Sequence, residues 1–543
     1  MNEGRLKMKT NLFISAAACA LLAMPTMAAT PMEGEKLAAE QVYTYRLLDD
    51  IKSFDPQINT DVEGSEIMRD LFEGLMNEDA TGGLVPGAAE SYTVSDDKLT
   101  YTFNLRDAKW SNGDPVTAND FVYAWRRLVD PATASEYAWY MELMGVKNAS
   151  KVVKGEVAPD QLGVRAVDDK TFEVTIDTAL PYFAAMTVHG STFPVNQKVV
   201  ETHGSEWTKP GNLVGNGAYV LTEYRSGERV VRERNPMYWD DANTIIEKTV
   251  GLIVNDENIA LTRYLAGEMD QTDIPAGQYP RLKAELPDDT YSYPRSCSYI
   301  YWFNQGEKGN PALKDARVRK ALSYTIDREV VVDRILQGGQ YQSYNFTHQK
   351  TAGFELPEID YASWTQAERD AKAKELLAEA GYGPDNPLSV KISYNTDEAH
   401  KKIAIAVSQF WKQKLGVNTE LANSEWKVHT TNMQNGDYEI ARYAWCGDYN
   451  EASTYLDLMT SYSGHNVSGW SDPEYDKLMK DSKTMADPNP NYAAGEQLLA
   501  DNMVFAPIYQ YTGIIMLKPE VKGFPIDNLM QNWYSRELYI VEK

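Results

Sequence analysis

The residues that could carry out catalysis in this chain are numerous, but they form no recognisable catalytic motif. Aspartate and glutamate together number 78, and histidine occurs six times. G-x-S-x-G, the Walker loop, G-x-G-x-x-G, H-E-x-x-H and C-x-x-C are all missing. No two histidines stand three or four residues apart, so no helix offers a ready pair of metal ligands. The histidines are His189, His203, His348, His400, His429 and His465.

These absences leave catalysis without local support in the sequence. They do not exclude an enzyme, because catalytic groups often come from distant positions in the chain. A secreted hydrolase with a glycosidase-type carboxylate pair therefore stays open as one function class. We expect no cofactor and no metal.

The N-terminus has the organisation of an export signal. Three basic residues stand before position 10, an apolar run covers 12–24, and Thr26-Met27-Ala28 supplies small residues for cleavage after Ala28. A membrane anchor is one alternative, but the run is too short to cross about 30 Å of hydrocarbon. Lipid attachment at Cys19 is another, although the residues before it fit poorly. No later apolar run approaches a membrane span, so we expect a soluble exported chain.

Cysteine use agrees with export to an oxidising compartment. The chain has three cysteines, and Cys19 leaves with the signal. We predict that the remaining two, Cys297 and Cys446, form a disulfide. Such a bond would close a loop of roughly 150 residues, for which the chain-entropy model gives about 4–5 kcal/mol. The alternative is two separate buried thiols.

Charge limits the choice of partner. The formal net charge is −25, and so acidic a chain repels phosphate backbones and anionic lipid surfaces. We therefore expect no nucleic-acid partner.

Aromatic residues are abundant instead, with 34 tyrosines and 12 tryptophans. Such rings offer rigid contact area with one polar tip, which suits either a core or a ligand cleft. Two groups leave both interpretations open. They are Tyr137, Trp139 and Tyr140, and Tyr299, Tyr301 and Trp302.

The elements that must position these residues are mixed. Residues 98–105 and 388–394 alternate polar and apolar side chains, which predicts strands. Thr117 begins a predicted helix, and residues 366–380 and 400–415 form amphipathic helices followed by Gly381 and Gly416. Strands alternating with helices indicate an α/β protein.

Longer motifs occur along the chain at 88–92, 101–106, 110–123, 216–219, 235–239, 317–322, 326–328 and 441–451. Together they resemble the extracytoplasmic peptide- and nickel-binding proteins of ABC importers, solute-binding family 5. The segment 441–451 is similar to that of the periplasmic oligopeptide-binding proteins in particular, and murein-peptide-binding proteins are the near alternative. The resemblance covers the chain after the signal.

The resemblance implies a two-lobed α/β fold of the large, three-domain type with a two-strand hinge. It implies lobe I over 29–72, 197–296 and 513–543, an inserted domain II over 73–196, and lobe III over 297–512. Ligand would lie in the cleft, and the lobes would close over it.

Asp448 matches the acid that receives the peptide α-ammonium in this family. A closed cleft strips water from that cation, so a fixed carboxylate must compensate. The alternative role is an Asx turn or helix cap beside Gly447. The backbone of Ala444, Trp445 and Cys446 would pair with the extended peptide as an added strand, which makes binding indifferent to side-chain identity. The alternative is an ordinary internal strand.

The resemblance also implies that Trp426 and Tyr137 lie near the peptide, with lobe packing as the alternative. Arg442 and His400 match positions that serve the peptide carboxylate, for which a guanidinium fork is well suited. One departure stands out: Met433 occupies a position where oligopeptide binders often carry a second arginine.

The predicted function is capture of short peptides for a membrane permease of an ABC importer, by a monomer in the periplasm. Alternative ligands on the same fold are murein peptide, nickel and haem.

Overall fold

The computed structural model describes residues 29–485, 487–526 and 528–543. The predicted export signal lies outside the described residues. Strands and helices alternate along the chain, and the predicted α/β fold class is confirmed.

The strands are short except for two. In chain order they are β1 (Val42–Leu47), β2 (Met76–Glu78), β3 (Leu84–Pro86), β4 (Ala89–Val94), β5 (Thr100–Leu105), β6 (Val164–Asp168), β7 (Thr171–Thr175), β8 (Tyr219–Arg225), β9 (Arg229–Arg234), β10 (Lys248–Ile253), β11 (Gln271–Asp273), β12 (Thr290–Phe303), β13 (Tyr341–Gln342), β14 (Ser389–Asn395), β15 (Asn418–Ser424), β16 (Ile440–Cys446), β17 (Phe505–Leu517), β18 (Val521–Lys522) and β19 (Tyr539–Ile540).

The helices cover the faces and ends of the sheets. In chain order they are α1 (Val62–Leu71), α2 (Ala118–Val129), α3 (Ala138–Leu143), α4 (Ala149–Val153), α5 (Phe183–Met186), α6 (Gln197–His203), α7 (Glu257–Leu265), α8 (Tyr279–Glu285), α9 (Ala316–Tyr324), α10 (Gln366–Glu379), α11 (Glu398–Leu415), α12 (Trp426–Gln434), α13 (Ser453–Leu456), α14 (Pro473–Ser482) and α15 (Asn489–Asn502). A π-helical segment covers Val330–Leu336.

One large sheet runs through the molecule, and β12 and β17 join its two halves. The strand order is β15-β14-β16-β12-β17-β11-β1-β10-β9-β8, with β13 added on β17. The register between β12 and β17 shifts between Pro294 and Ser298. Before the shift β12 pairs with the part of β17 nearest β11, and after it β12 also pairs with β16. These two strands therefore pass from one half of the sheet to the other.

A separate antiparallel sheet, β4-β5-β7-β6, lies within the segment predicted as domain II. Its inward residues, such as Phe103 and Phe172, are fully buried and pack with Phe121 and Trp125 of α2. A distinct core is built from residues between Ala276 and Tyr509. The exact boundaries of the three domains stay a prediction.

The predicted local elements are present with small shifts at their ends. The helix that starts after Thr117 is α2, where the Asp120 carboxylate accepts the Thr117 backbone N–H. The second amphipathic helix, α11, begins two residues before His400, because the Asp397 side chain accepts the His400 N–H and caps it. It ends at Gly416, which adopts the left-handed conformation.

Within the described ranges, none of the helices combines the length and apolar character needed to cross a bilayer.

Candidate functional site

A cavity of about 400 Å³ lies between the two halves of the large sheet. Its walls come from β1, α1, β11 and β17 on one side and from β14, α11 and β16 on the other. The structure brings together at this cavity every residue that the sequence predicts for a peptide site. They are Tyr137, His400, Trp426, Arg442, Ala444, Trp445, Cys446 and Asp448.

Asp448 follows β16 and projects its carboxylate into this cavity. Its backbone N–H donates to the Thr454 hydroxyl at 2.8 Å, which fixes the turn after the strand. Oδ1 accepts a hydrogen bond from the Tyr137 hydroxyl at 3.4 Å and lies 3.5 Å from Nε2 of His189. Oδ2 is buried and has no hydrogen-bond partner among the described residues. A buried, half-satisfied carboxylate is costly, so this oxygen is suited to a donor from a ligand.

Burial controls protonation around Asp448. Burial raises the pKa of Asp448 to about 8, and the Tyr137 hydrogen bond offsets only part of that rise. His189 is not a cationic partner, because burial, with Arg69 and His465 nearby, lowers its pKa to about 3. Its Nδ1 accepts the Ser191 backbone N–H, so the neutral ring carries its proton on Nε2, facing Asp448.

Strand β16 presents an unpaired edge to the cavity. On one side it pairs with β12 from Ile440 to Cys446, while on the other β14 reaches only Ile440 and Ala441. The Gly447 N–H donates to Ser296 on the β12 side. The next pair, Cys446 with Cys297, is therefore of the non-hydrogen-bonded type, in agreement with its Cα–Cα distance of 4.0 Å.

Because hydrogen-bonded and non-hydrogen-bonded pairs alternate along an antiparallel ladder, the direction of each backbone N–H and C=O group of β16 follows from this pair. Cys446, Ala444 and Arg442 direct their N–H and C=O groups away from β12 and towards the open edge. The Arg442 carbonyl confirms this direction, because it accepts a hydrogen bond from His429 Nε2 at 2.8 Å. The backbone N–H and C=O of Trp445 instead face β12 and pair with it. Its indole N–H donates to the Thr454 carbonyl. Ala444 and Cys446 are thus the residues free to pair with an added strand.

The predicted disulfide between Cys297 and Cys446 is present. It joins β12 to β16 at the point where both strands line the cavity. The ligand-facing edge is therefore covalently fixed to one of the two strands that cross between the halves.

Arg442 is buried, so the alternative of a surface ion pair is wrong. Nη1 donates to Asn395 at 3.0 Å and Nη2 to the Tyr511 hydroxyl at 2.7 Å, while the guanidinium lies 5.0 Å from the Tyr299 ring centroid. Nε has no partner among the described residues. Since an arginine carries five N–H donors, the group retains free donors for a carboxylate.

His400 and Trp426 line the same region in different ways. His400 is held against Asp397, with Nδ1 3.3 Å from Oδ1. Burial, followed by the Arg442 and His429 charges, lowers the pKa of His400 well below its ordinary value, so the ring is neutral. Trp426 starts α12, stacks on His429 at 6.2 Å, and leaves its buried indole N–H without a partner in the described chain.

The two aromatic groups singled out in the sequence have different roles: one contributes a residue to the cavity, and the other lies in the core. Tyr137 alone of the first group lines the cavity, stacked on His189 at 4.6 Å, while Trp139 packs behind it. The second group, on β12, is fully buried and belongs to the core. Met433 is buried on α12 and does not line the cavity.

Sequence reasoning missed His189 and Glu257 as cavity residues. His189 sits in a short segment with no motif, and Glu257 is the first residue of α7 in a run with ordinary helix-start character. No pattern in the sequence marks either one. The part of the chain that the structure describes contains no group of three His, Cys, Asp or Glu side chains placed to hold a metal ion.

An enclosed cavity between two halves that share two crossing strands is the arrangement of a two-lobed solute-binding protein. A profile of the bacterial extracellular solute-binding proteins, family 5 (middle), matches residues 83–466. The chain belongs to this family, and the membership predicted from the motifs is confirmed.

Relatives cover nearly the whole chain. The periplasmic murein peptide-binding protein MppA of Escherichia coli is 43% identical over 97% of this chain and 99% of its own length. The periplasmic oligopeptide-binding protein OppA of Escherichia coli is 40% identical over 95% of each chain. Both relatives are solute-binding proteins.

Solved structures show which conformation this chain adopts. The murein tripeptide binding protein MppA of Escherichia coli superposes with a TM-score of 0.91 over 93% of this chain and 100% of its own. An unliganded open form of MppA, also 43% identical, gives only 0.67 over 94% of this chain and 99% of its own. The Haemophilus influenzae OppA complex with RPPGFSPFR, 39% identical, gives 0.90 over 93% of this chain and 100% of its own, so the present structure corresponds to a ligand-bound, closed form rather than the open one.

Proposed function

We propose that this protein captures short peptides in a closing cleft outside the cytoplasm and delivers them to the membrane permease of an ABC importer. The observation that carries the proposal is the coincidence of an open strand edge and a half-satisfied carboxylate within one enclosed cavity. The edge consists of Ala444 and Cys446, and the carboxylate is that of Asp448.

The strand edge supports an extended peptide as ligand. Backbone groups of two alternate residues face the cavity, which is the pattern that strand addition requires. A peptide whose amine lies at Asp448 would run back along β16 towards Arg442, antiparallel to the strand. Because the contacts are to backbone, many sequences can bind in the same way.

Complementary charges at the two ends support a ligand with free termini. Considering only the part of the chain that the structure describes, Oδ2 of Asp448 lacks a partner at one end, and Arg442 has unused donors at the other. The α-ammonium would compensate the buried Asp448 charge, and the carboxylate would accept from the guanidinium. Tyr137, Trp426 and neutral His400 would complete the walls.

Location and partners are part of the same proposal. The N-terminal export pattern and the periplasmic relatives support a periplasmic protein that acts without a cofactor. We infer a monomer, since one chain encloses the whole cavity. Hydrolysis of the bound peptide is not part of the proposal.

The test is calorimetry on the exported chain after removal of its endogenous ligand. Trialanine is expected to bind, while N-acetyl-trialanine and trialanine amide each bind at least tenfold more weakly, because each loses one charge pair. Native mass spectrometry of the untreated protein should show intact peptides. Equal affinity for all three ligands, or cleaved trialanine, would refute the proposal.

Murein peptide is a second candidate ligand. It is favoured by the 43% identity to MppA, compared with 40% to OppA. Competition between trialanine and a muropeptide at the same site distinguishes the two.

A further inference from the structure

The cavity contains a second group of acidic side chains besides Asp448. Eight carboxyl side chains line the cavity and only four guanidinium groups. Two of the carboxyl groups, Glu257 and Asp397, line the cavity close enough for the Asp397 charge to raise the pKa of Glu257.

Glu257 is the unusual member of this pair. Its side chain lines the cavity from the first turn of α7, and the residue is only 8% exposed. Oε2 is buried and has no hydrogen-bond partner among the described residues. Burial first, and the Asp397 charge second, raise the pKa of Glu257 to about 8. A buried carboxylate beside a second carboxylate needs a compensating donor.

Asp397 belongs to the other side of the cleft, at the N-terminus of α11. It caps the helix through the His400 N–H, and its side chain is 6% exposed. The two sides meet here, because Lys402 of α11 donates to the Ala276 carbonyl at 3.1 Å, and Ala276 lies beside Glu257. Glu257 and Asp397 are therefore neighbours across the cleft in this structure.

The neighbouring cations are already engaged. Arg46 is buried and directs Nη1 to Asp273 at 2.7 Å, while Nε and Nη2 donate to the carbonyls of Val254 and Asn255. Its charge also interacts with Glu257 and Asp397, so one guanidinium faces three carboxyl groups. His400 beside Asp397 is neutral, and Lys402 is bonded to a carbonyl. One guanidinium cannot compensate three carboxylates, so the group formed by Glu257, Asp397 and Asp273 can accept a second cation.

Two kinds of ligand could supply positive charge at Glu257 and Asp397: a metal ion or an organic cation. A metal ion is disfavoured, because the described residues contain no group of three acidic, histidine or cysteine side chains able to hold one. An organic cation needs fewer ligands, since an ammonium or guanidinium bridges two carboxylates by hydrogen bonds. The α-ammonium of a peptide is assigned to Asp448, so this second cation would come from a side chain.

We propose that Glu257 and Asp397 form a subsite for the ammonium or guanidinium of a lysine- or arginine-like side chain in the bound peptide. The subsite lies towards the carboxyl end of the peptide, because Asn395, two residues before Asp397, bonds Arg442. This inference rests on the proposed function and adds a substrate class to it: short cationic peptides.

The test compares peptide pairs that differ only in one charge. Calorimetry on the ligand-free protein would use Lys-Ala-Ala, Ala-Lys-Ala and Ala-Ala-Lys, each against its norleucine counterpart, which keeps the apolar stem. At the second or third position, we expect lysine to bind at least tenfold more tightly than norleucine. Glu257→Gln and Asp397→Asn should each reduce that ratio at least fivefold and leave the norleucine peptide within twofold. Asn can still cap α11.

Glu398→Gln is the matched control, since Glu398 is an exposed acid beside Asp397 that pairs with Lys401. It removes the same charge and should keep the ratio. Equal affinities for lysine and norleucine at all positions would overturn the subsite, as would a variant that weakens both peptides alike. If norleucine peptides bind and the lysine preference is absent, only the subsite fails. If no peptide binds, the proposed function fails and the subsite with it.

Discussion

Tyr137 and Asp448 are 311 positions apart in the chain, and the hydroxyl of the first donates to the carboxylate of the second at 3.4 Å. The contact joins the region predicted as domain II to the end of β16, so we expect it to break when the cleft opens. The other oxygen of this carboxylate has no hydrogen-bond partner within the described chain. In the proposed function, closure and recognition of a peptide amine therefore both depend on Asp448.

Replacing Asp448 by Asn should weaken the binding of trialanine by more than tenfold, consistent with about 2–5 kcal/mol for breaking a buried charge pair. The substitution keeps the shape of the side chain and removes its charge. Calorimetry measures the loss. N-acetyl-trialanine is the matched ligand, and its affinity should change little. Unchanged affinity for trialanine would remove Asp448 from the site.

Tyr137→Phe tests the partner of that carboxylate. Loss of the hydroxyl removes one hydrogen bond to Asp448, which should weaken trialanine by roughly two- to tenfold, as expected for about 0.5–1.5 kcal/mol. Tyr140→Phe is the control, because the Tyr140 hydroxyl donates to the Met186 carbonyl and does not face the ligand. Equal effects of the two variants would indicate packing rather than recognition.

The empty protein should close more readily at acid pH. In the closed form burial raises the pKa of Asp448 from its ordinary 3.8 to about 8, whereas water reaches the carboxyl group when the cleft opens. Between about pH 4 and 8, closing of the cleft is therefore accompanied by protonation of Asp448. In that range each fall of one pH unit raises the closed-to-open ratio by up to tenfold through this carboxyl group. The stabilisation of the closed form is complete at low pH and is lost as the pH rises through 8.

Small-angle scattering of the ligand-free protein measures this effect as a smaller radius of gyration at low pH. Glu63 and Glu257 also line the cavity, and burial raises the pKa of each to about 8, so they act in the same direction. Asp448→Asn should reduce the pH dependence and leave the remainder. A radius that is the same at pH 5 and pH 8 would contradict the prediction.

Removing the disulfide should destabilise the protein and loosen the binding strand. The Cys297→Ala, Cys446→Ala double variant loses a cross-link between residues 149 positions apart, and removal of a native disulfide costs about 2–5 kcal/mol. Thermal unfolding should shift to lower temperature. The reduced wild-type protein is the control and should unfold like the variant. No shift in either would show that the β12–β16 pairing suffices.

Much of the local structure follows from the sequence, because the signals act over a few residues. The helix after Thr117 and the one ending at Gly416 were predictable from a capping residue and a terminal glycine. Cys297 and Cys446 could be paired by elimination of a third cysteine. The role proposed for Asp448 was predicted from the family resemblance of the segment around it.

Other parts of the site depended on pairing over long distances. Which of Ala444, Trp445 and Cys446 can bind a peptide is set by the register of β16 on β12, since a shift of one residue would exchange the free and the paired backbone groups. His189 carries no local signal, and its neutral state comes from burial.

By itself the sequence determined the α/β class, the family and the residue types at the site, since these follow from local patterning and continuous motifs. Only the tertiary structure decided that Arg442 is buried, that Tyr137 and His189 face Asp448, and that Glu257 lies opposite Asp397. The physical reason is that burial and the approach of distant charges arise when separate segments pack together, and they set the pKa of each group and the partners it lacks.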